Sequence, residues 1–300
     1  MSRLLNARIL LGGAALASAF AFPASSQTPA APDFSGTWGR NAFDQEAPPS
    51  GPGPLVNLKR GGNGASDPDQ LVGDYNNPIL KPQAAERVRQ YGEISKKGLD
   101  YPDPSNQCAP YQPPFTFAME LGLQMLQTPS EIVMLYPQDD QVRRVRVNGV
   151  HPPNVAPSAM GDSIGHYEGD TLVVDTIGVK VRNTTVADRY GTPQTEAIHI
   201  VERYRLISVE EAKAAQARHE KIAGRVGGPP GAMPIDPSFD KGLQLRFTVE
   251  DPNVFTTPWS GQATYTHTRV PWQEQVCAEN FFEYYSGKPT AIPSAETPDF

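Results

Sequence analysis

The segment 161–178 constrains the fold of this chain more than any other part of the sequence. Its residues on either side of Glu168-Gly169-Asp170 have the pattern of two β-strands joined by a tight turn. Gly169 can adopt the positive φ angle that short hairpin loops require. No nucleotide-binding, metal-binding or nucleophile motif of comparable strength occurs elsewhere in the sequence. The sequence therefore predicts a β-protein whose function depends on a pocket built from such hairpins.

The first 26 residues have the features of an export signal. Arg3 and Arg8 precede an apolar run over 9–22 that is too short to span a bilayer, and small residues follow it. We expect cleavage near Ser26 and a periplasmic location, with no membrane insertion after the signal is removed. The formal net charge of −7 argues against nucleic acid as a partner. Neutral or weakly polar small molecules fit this composition better.

Cys108 and Cys277 are the two cysteines of the sequence. An even number of cysteines in an exported protein predicts a disulfide bond between them. The alternative is a nucleophilic thiol, which needs a neighbouring base. Neither cysteine has such a base beside it in the sequence, so we expect the disulfide.

The 31 prolines and 26 glycines favour many short strands over long helices. Helical patterns occur only at 82–97 and 209–223. Strand patterns separated by turn residues are more numerous, and they lie at 122–128, 131–136, 141–147, 163–168, 171–176, 196–208, 242–250, 261–270 and 274–277. We expect successive strands to be antiparallel neighbours because most of the connections are short.

These strands predict an all-β fold, a lipocalin-like antiparallel up-and-down β-barrel of eight or so strands. Barrel closure removes the exposed edges of an open sheet, and a two-sheet sandwich is the alternative. The predicted organisation is a signal peptide at 1–26, an extended arm with a short helix at 27–114, and the barrel at 115–300. The strand around Trp38 joins the barrel and closes one end of it. Within the arm, 46–74 is either wrapped on the surface or a lid.

His151 is the strongest candidate for a proton-transfer group. It follows a strand end, where loops at a barrel mouth commonly hold reactive side chains. The alternative is a histidine that only hydrogen-bonds across its loop. Asp162 and Tyr167 lie in the next hairpin, close to His151. We expect Asp175 to point into the barrel and to pair with one of the arginines at 144, 146, 203 and 205.

Two other kinds of site are not expected. A metal site built from His151, Asp162, His166 and Asp170 lacks the histidine spacing of known ligand sets, so we expect neither a metal nor a cofactor. The letters of 161–165 match a nucleophile elbow, but in hydrolases that motif leads from a strand into a helix. Here it opens a hairpin, so we do not expect its serine to act as an acyl nucleophile.

Seven short motifs, in order along the chain, carry a resemblance to a known family. They lie at 34–38, 144–152, 161–176, 201–205, 250–252, 258–259 and 277–280. Together they resemble a large family of exported bacterial proteins with a lipocalin-like β-barrel, and the resemblance covers most of residues 33–282. That family is associated with γ-formaldehyde lyases acting on lignin-derived phenylcoumarans. Where its members usually carry a His-Ser-Glu triplet, this chain has Gln194-Thr195-Glu196, so the role of that histidine does not transfer.

The resemblance implies a periplasmic, cofactor-free carbon–carbon lyase that binds a small aromatic compound and releases formaldehyde. For this chemistry we assign His151 as the base and Asp162 as the residue that orients it. Tyr167 is assigned as a relay or orienting hydroxyl, and Arg203 as the group that stabilises the developing anion. The alternative function is a non-catalytic carrier of a small apolar ligand. An envelope interaction protein that uses 46–74 is a third interpretation, and homo-oligomer formation is left open.

Overall fold

The computed structural model describes residues 31–41, 45–62, 64–104, 106–119, 122–137, 141–223 and 235–269. These ranges contain nine strands: β1 (Gly36–Arg40), β2 (Gly122–Gln127), β3 (Glu131–Tyr136), β4 (Gln141–Val147), β5 (Asp162–Glu168), β6 (Thr171–Ile177), β7 (His199–Ser208), β8 (Lys241–Glu250) and β9 (Trp259–His267). They also contain three helices: α1 (Pro82–Ser95), α2 (Phe115–Met119) and α3 (Val209–Ala223). The predicted export signal, the predicted strand at 274–277 and Cys277 lie outside the described residues. Signal cleavage and the bond between Cys108 and Cys277 therefore stay predictions.

The nine strands form a closed barrel in which each strand pairs with the next and β1 pairs with β9. Trp38 of β1 lies opposite Leu123 of β2 on one side and His267 of β9 on the other. The Trp38 indole is buried, donates a hydrogen bond of 2.9 Å to the carbonyl oxygen of Phe34, and stacks on the His267 ring. The prediction of a closed barrel rather than a two-sheet sandwich is confirmed.

The prediction that all strands are antiparallel is wrong at one place. β4 and β5 are parallel, with Val145 opposite Ser163 and Val147 opposite Gly165. A parallel pair needs a connection of about a dozen residues or more, because the chain must return to its starting end. The 14 residues between Val147 and Asp162 provide that connection, and they include His151. The barrel is therefore mixed, and it has nine strands instead of eight or so.

The hairpin of β5 and β6 is present as predicted. The two strands pair from Asp162 opposite Ile177 to Glu168 opposite Thr171. Gly169 lies in the two-residue loop between them with a φ angle of 62°. This left-handed conformation is the one that a tight hairpin turn requires and that glycine adopts without strain.

Both predicted helices are also present, and a third, α2, lies where the run of strands was expected to begin. Helix α3 begins with a capping box. The Ser208 hydroxyl accepts a hydrogen bond from the backbone N–H of Glu211, and the Glu211 carboxylate accepts one from the backbone N–H of Ser208, each at 3.1 Å. No described helix has the length and apolar character needed to cross a membrane.

The arm at 46–74 lies against the barrel. Glu46 and Gln262 of β9 exchange two backbone hydrogen bonds of 2.9 and 3.0 Å, and Ser260 donates one to the carbonyl oxygen of Pro52. Apolar side chains of the arm and of α1 join the same core as the barrel interior. That core includes Phe34, Trp38, Leu55, Ala84, Val88, Leu123, Met134, Leu172, Val174, Leu245 and Phe247. The arm thus extends one side of the barrel wall.

Candidate active site on the outer wall

Three neighbouring strands place ionisable side chains on the outer face of the barrel. In β6, Val174 and Thr176 are buried toward the interior, so Asp175 between them faces outward. The same alternation puts Asp162 of β5 and His199 of β7 on the outer face. The prediction that Asp175 points inward is therefore wrong. Its partners are histidines rather than an arginine.

His151 lies between two of these carboxylates. Its Nδ1 is 2.6 Å from Asp162 Oδ1, and its Nε2 is 2.9 Å from Asp175 Oδ1. The side chain is 18% exposed. Each ring nitrogen therefore faces a carboxylate oxygen at hydrogen-bond distance. Both ring nitrogens of His151 are thus occupied by carboxylates, which leaves neither of them to contact a substrate.

Asp162 has a second cationic partner. The Arg146 guanidinium donates two hydrogen bonds of 2.8 Å to the two oxygens of the Asp162 carboxylate. Arg146 also donates to the carbonyl oxygen of Val150, which ties the loop that carries His151 to β4. The hydrogen bonds from Arg146, and after them that from His151, hold the pKa of Asp162 below its ordinary value. Asp162 is therefore a carboxylate at neutral pH.

His199 shares Asp175 with His151 but keeps one nitrogen available. Its Nε2 lies 2.8 Å from Asp175 Oδ2. Its Nδ1 lies 3.8 Å from a carboxylate oxygen of Glu250, which is too far for a hydrogen bond. Burial raises the pKa of Asp175, but hydrogen bonds from His199 and His151 outweigh burial, so its pKa lies below the ordinary value. The His199 side chain is 35% exposed, so a substrate can approach it.

We refer to Arg146, His151, Asp162, Asp175 and His199 as the Asp175 cluster. His151 and Asp162 were predicted as a pair from the sequence, and the structure brings these two together. His199 was not among the predicted site residues, although it lies within the predicted strand at 196–208, two residues before Val201, the residue directly opposite Asp175. No pattern in the sequence indicated which face of β7 the imidazole occupies.

Tyr167 and Arg203 do not join this cluster. Tyr167 lies five residues beyond Asp162 on β5 and on the other face of that strand, about 17 Å along it. It lines a different groove with Asp33 and Gln127, and burial raises the pKa of its hydroxyl. Arg203 is on the outer face of β7, where it donates a 2.6 Å hydrogen bond to the Glu168 carboxylate. The four assigned residues therefore do not form one site.

A second polar network, which was not predicted from the sequence, lies inside the barrel. Arg143 of β4 and Glu202 of β7 are 1% and 0% exposed and share hydrogen bonds of 2.8 and 2.6 Å. Arg143 also donates to the hydroxyls of Thr176 at 2.6 Å and Ser163 at 3.1 Å. The Tyr204 hydroxyl donates to Glu202 at 2.7 Å. Ser163 is thus buried in this network, and its hydrogen-bond partners in the described part of the chain are Arg143 and Thr176 rather than a histidine.

The electrostatics of this network favour the charged form of Arg143. Desolvation lowers the pKa of Arg143, but the charge and hydrogen bonds of Glu202 outweigh it and raise that pKa well above its ordinary value. Burial and the Glu202 charge raise the pKa of Tyr204. Arg143 and Glu202 hydrogen-bond to each other, and neighbouring hydroxyl groups occupy their remaining hydrogen-bonding positions. The network therefore links four strands, β4 to β7.

Metal binding finds no support in the described part of the chain. No group of three or more His, Cys, Asp or Glu side chains there is arranged to hold a metal ion. His166, part of the metal site considered from sequence, pairs instead with Glu168 at 3.1 Å. The chain matches no protein-family model, no curated protein and no solved structure in comparisons with all three.

Proposed function

We propose that this protein is a periplasmic, cofactor-free enzyme that cleaves a carbon–carbon bond in a small aromatic, lignin-derived compound and releases formaldehyde. The reaction takes place at the outer end of the Asp175 cluster, with His199 as the base. The observation that carries the proposal is the contact of His199 Nε2 with Asp175 at 2.8 Å, which leaves Nδ1 without a hydrogen-bond partner among the described residues. The order of sequence motifs that resembles the lipocalin-like lyase family supports the same reaction class.

A carboxylate that accepts from one imidazole nitrogen prepares the other nitrogen to accept a proton. Asp175 holds the proton of His199 on Nε2, so the lone pair is on Nδ1. When Nδ1 takes a proton, the resulting imidazolium lies between Asp175 and Glu250, and both carboxylates stabilise it. His151 and Asp162 act as positioning residues, because they fix Asp175 from its other side.

The reaction balances without an oxidant, a reductant or a cofactor. His199 removes the proton of a primary hydroxyl next to the reacting carbon. The C–O bond of that group becomes the C=O bond of formaldehyde as the adjacent C–C bond breaks. The released electron pair forms a C=C bond, and the aryl ether oxygen of the phenylcoumaran ring leaves as a phenolate. The phenolate then takes up the proton, so the products are formaldehyde and a conjugated phenol.

The experiment is a test of mature protein against a panel of lignin-type dimers that carry a primary hydroxyl. Released aldehyde and new conjugated absorbance are both measured. Once a substrate is identified, kcat is measured for variants. His199→Gln is expected to lower kcat by about 10² to 10⁴, as loss of a general base does. Glutamine preserves most of the volume but does not accept a proton near neutral pH.

His166→Gln is the matched control. His166 is an outward-facing histidine on β5 that also pairs with a carboxylate, yet it lies outside the Asp175 cluster. Its substitution is expected to leave kcat unchanged. His151→Gln tests the earlier assignment: if it removes activity while His199→Gln retains it, the base is His151. Absence of aldehyde release from every dimer overturns the proposed function.

The second candidate is a non-catalytic binder of small apolar ligands. A groove of about 600 Å³ beside Tyr167, lined also by Val147, Pro129 and Ala31, favours it. A binder retains each dimer unchanged, with an affinity that His199→Gln does not alter. The same panel therefore separates the two functions, since only the enzyme converts a dimer.

A further inference from the structure

A groove of about 330 Å³ lies on the outer wall over β7, β8 and β9. Two of its lining residues, Arg203 of β7 and Arg246 of β8, are directly opposite each other in the sheet. Side chains in that relation have Cβ atoms about 5 Å apart, and like charges there destabilise a sheet. The groove thus concentrates positive charge in a chain whose formal net charge is −7.

The two guanidinium groups are not equally neutralised. Arg203 donates a 2.6 Å hydrogen bond to Glu168. Arg246 has no hydrogen bond or ion pair with any residue in the described part of the chain, and its side chain is exposed at the groove. Arg203 therefore has an anionic partner, and Arg246 has none among the described residues. The groove presents one guanidinium without an anionic partner in the described part of the chain, and a ligand anion would supply that partner.

We infer that this groove binds the carboxylate group of an aromatic carboxylic acid. A guanidinium presents two parallel N–H groups that match the two oxygens of a carboxylate. Val201, Pro48 and Pro49 also line the groove and offer apolar surface to an aromatic ring. Beside them the hydroxyls of Thr248 and Ser260 lie 2.9 Å apart and share one hydrogen bond, so one hydroxyl hydrogen remains to donate.

The groove is aligned with the Asp175 cluster. Val201, which lines it, is directly opposite Asp175. His199 and Arg203 lie two residues to either side of Val201 on the same face of β7, which separates them by about 13 Å. A two-ring aromatic compound has about this length. This step rests on the proposed function. The substrate class is then a two-ring aromatic carboxylate, whose carboxylate group contacts Arg246 and whose hydroxymethyl group reaches His199.

An equilibrium binding measurement tests this independently of catalysis. The probes are 4-phenoxybenzoate and its neutral counterpart 4-phenoxybenzamide, titrated into mature protein by calorimetry. We expect the carboxylate to bind at least about tenfold more tightly than the amide, as a charge-assisted hydrogen-bonded pair allows. Its binding is also expected to shift the side-chain Nε–H resonance of Arg246.

Arg246→Gln is expected to weaken carboxylate binding about tenfold, to the level of the amide, and to leave amide binding unchanged. Arg246→Lys keeps the positive charge but lacks the two parallel N–H groups of a guanidinium. Its affinity for the carboxylate is therefore expected to lie between the affinities of the unsubstituted protein and of Arg246→Gln. Arg144→Gln is the matched control, because Arg144 is an outward-facing arginine on β4 that pairs with Glu131, away from the groove. Its affinity for the carboxylate is expected to equal that of the unsubstituted protein.

Equal affinity for the carboxylate and the amide overturns the inference, and so does an Arg246→Gln protein that binds the carboxylate normally. Inorganic phosphate that displaces the carboxylate at equal concentration also overturns it, because the groove is then a general anion patch. Aldehyde release without any preference for carboxylate-bearing dimers contradicts the groove assignment alone. Arg246-dependent binding without aldehyde release contradicts the proposed function alone.

Discussion

The buried ion pair between Arg143 and Glu202 yields a prediction with a definite magnitude. Glu202→Gln removes the counter-charge of an arginine that is 1% exposed, while the size of the side chain hardly changes. Breaking one partner of such a buried pair costs about 3 to 5 kcal/mol, because an uncompensated charge stays in the interior. For a domain of this size, 1 kcal/mol corresponds to about 2 to 4 °C in Tm, so the expected decrease is about 6 to 20 °C.

Urea unfolding followed by circular dichroism measures the free energy, and a thermal scan measures Tm. A triple variant, Arg143→Met with Glu202→Leu and Tyr204→Phe, removes both charges and the hydroxyl that would lose its acceptor. Ser163 and Thr176 still hydrogen-bond to each other at 3.0 Å. The triple variant is expected to be more stable than Glu202→Gln. The reasoning is refuted if Glu202→Gln costs less than about 1 kcal/mol, or if the triple variant is the less stable protein.

Two further predictions concern stability, and one concerns the cysteines. Gly191→Ala should destabilise the fold by about 1 to 3 kcal/mol more than Gly169→Ala in urea unfolding, because both have positive φ but only at Gly191 would the new methyl group overlap a tyrosine ring. Folding lowers the pKa of Asp162, so this carboxylate contributes stability above about pH 4 that is lost as the pH falls through its folded pKa. Asp162→Asn should therefore reduce the dependence of the free energy of unfolding on pH below about pH 4. Mature protein should gain two hydrogens in mass on reduction of the bond between Cys108 and Cys277, and two alkylatable thiols in unreduced protein would contradict this.

Strands and helices could be read from this sequence because their signals are local. Alternation with a period of two, interrupted by Gly169 or by proline, sets where β5 and β6 begin and end. The direction of a strand relative to its neighbour is not local. Between Val147 and Asp162 the residues show that a connection exists, but whether it turns back at once or returns along the barrel depends on contacts made after folding. The parallel pair was therefore missed.

The candidate site was predicted only where its members are close in sequence. His151 and Asp162 are 11 residues apart, and their pairing was found. Arg143 and Glu202 are 59 residues apart, and β4 carries arginines on both faces. Charge alternation in β4 therefore gives no indication that Arg143, rather than its neighbour Arg144, is buried.

The parallel step between β4 and β5 connects the fold to the proposed chemistry. Had these strands formed a hairpin, the short loop after Val147 would have stayed at one end of the barrel. The longer connection instead carries His151 back to the beginning of β5 and the end of β6. Asp162 and Asp175 lie there on adjacent strands. Two carboxylates facing the same side of a sheet repel each other, and the His151 ring lies between them within hydrogen-bond distance of one oxygen of each. The same contact fixes one oxygen of Asp175, which leaves the other oxygen to orient His199. A topological feature that sequence patterns do not reveal thus positions Asp175 beside His199, the proposed base.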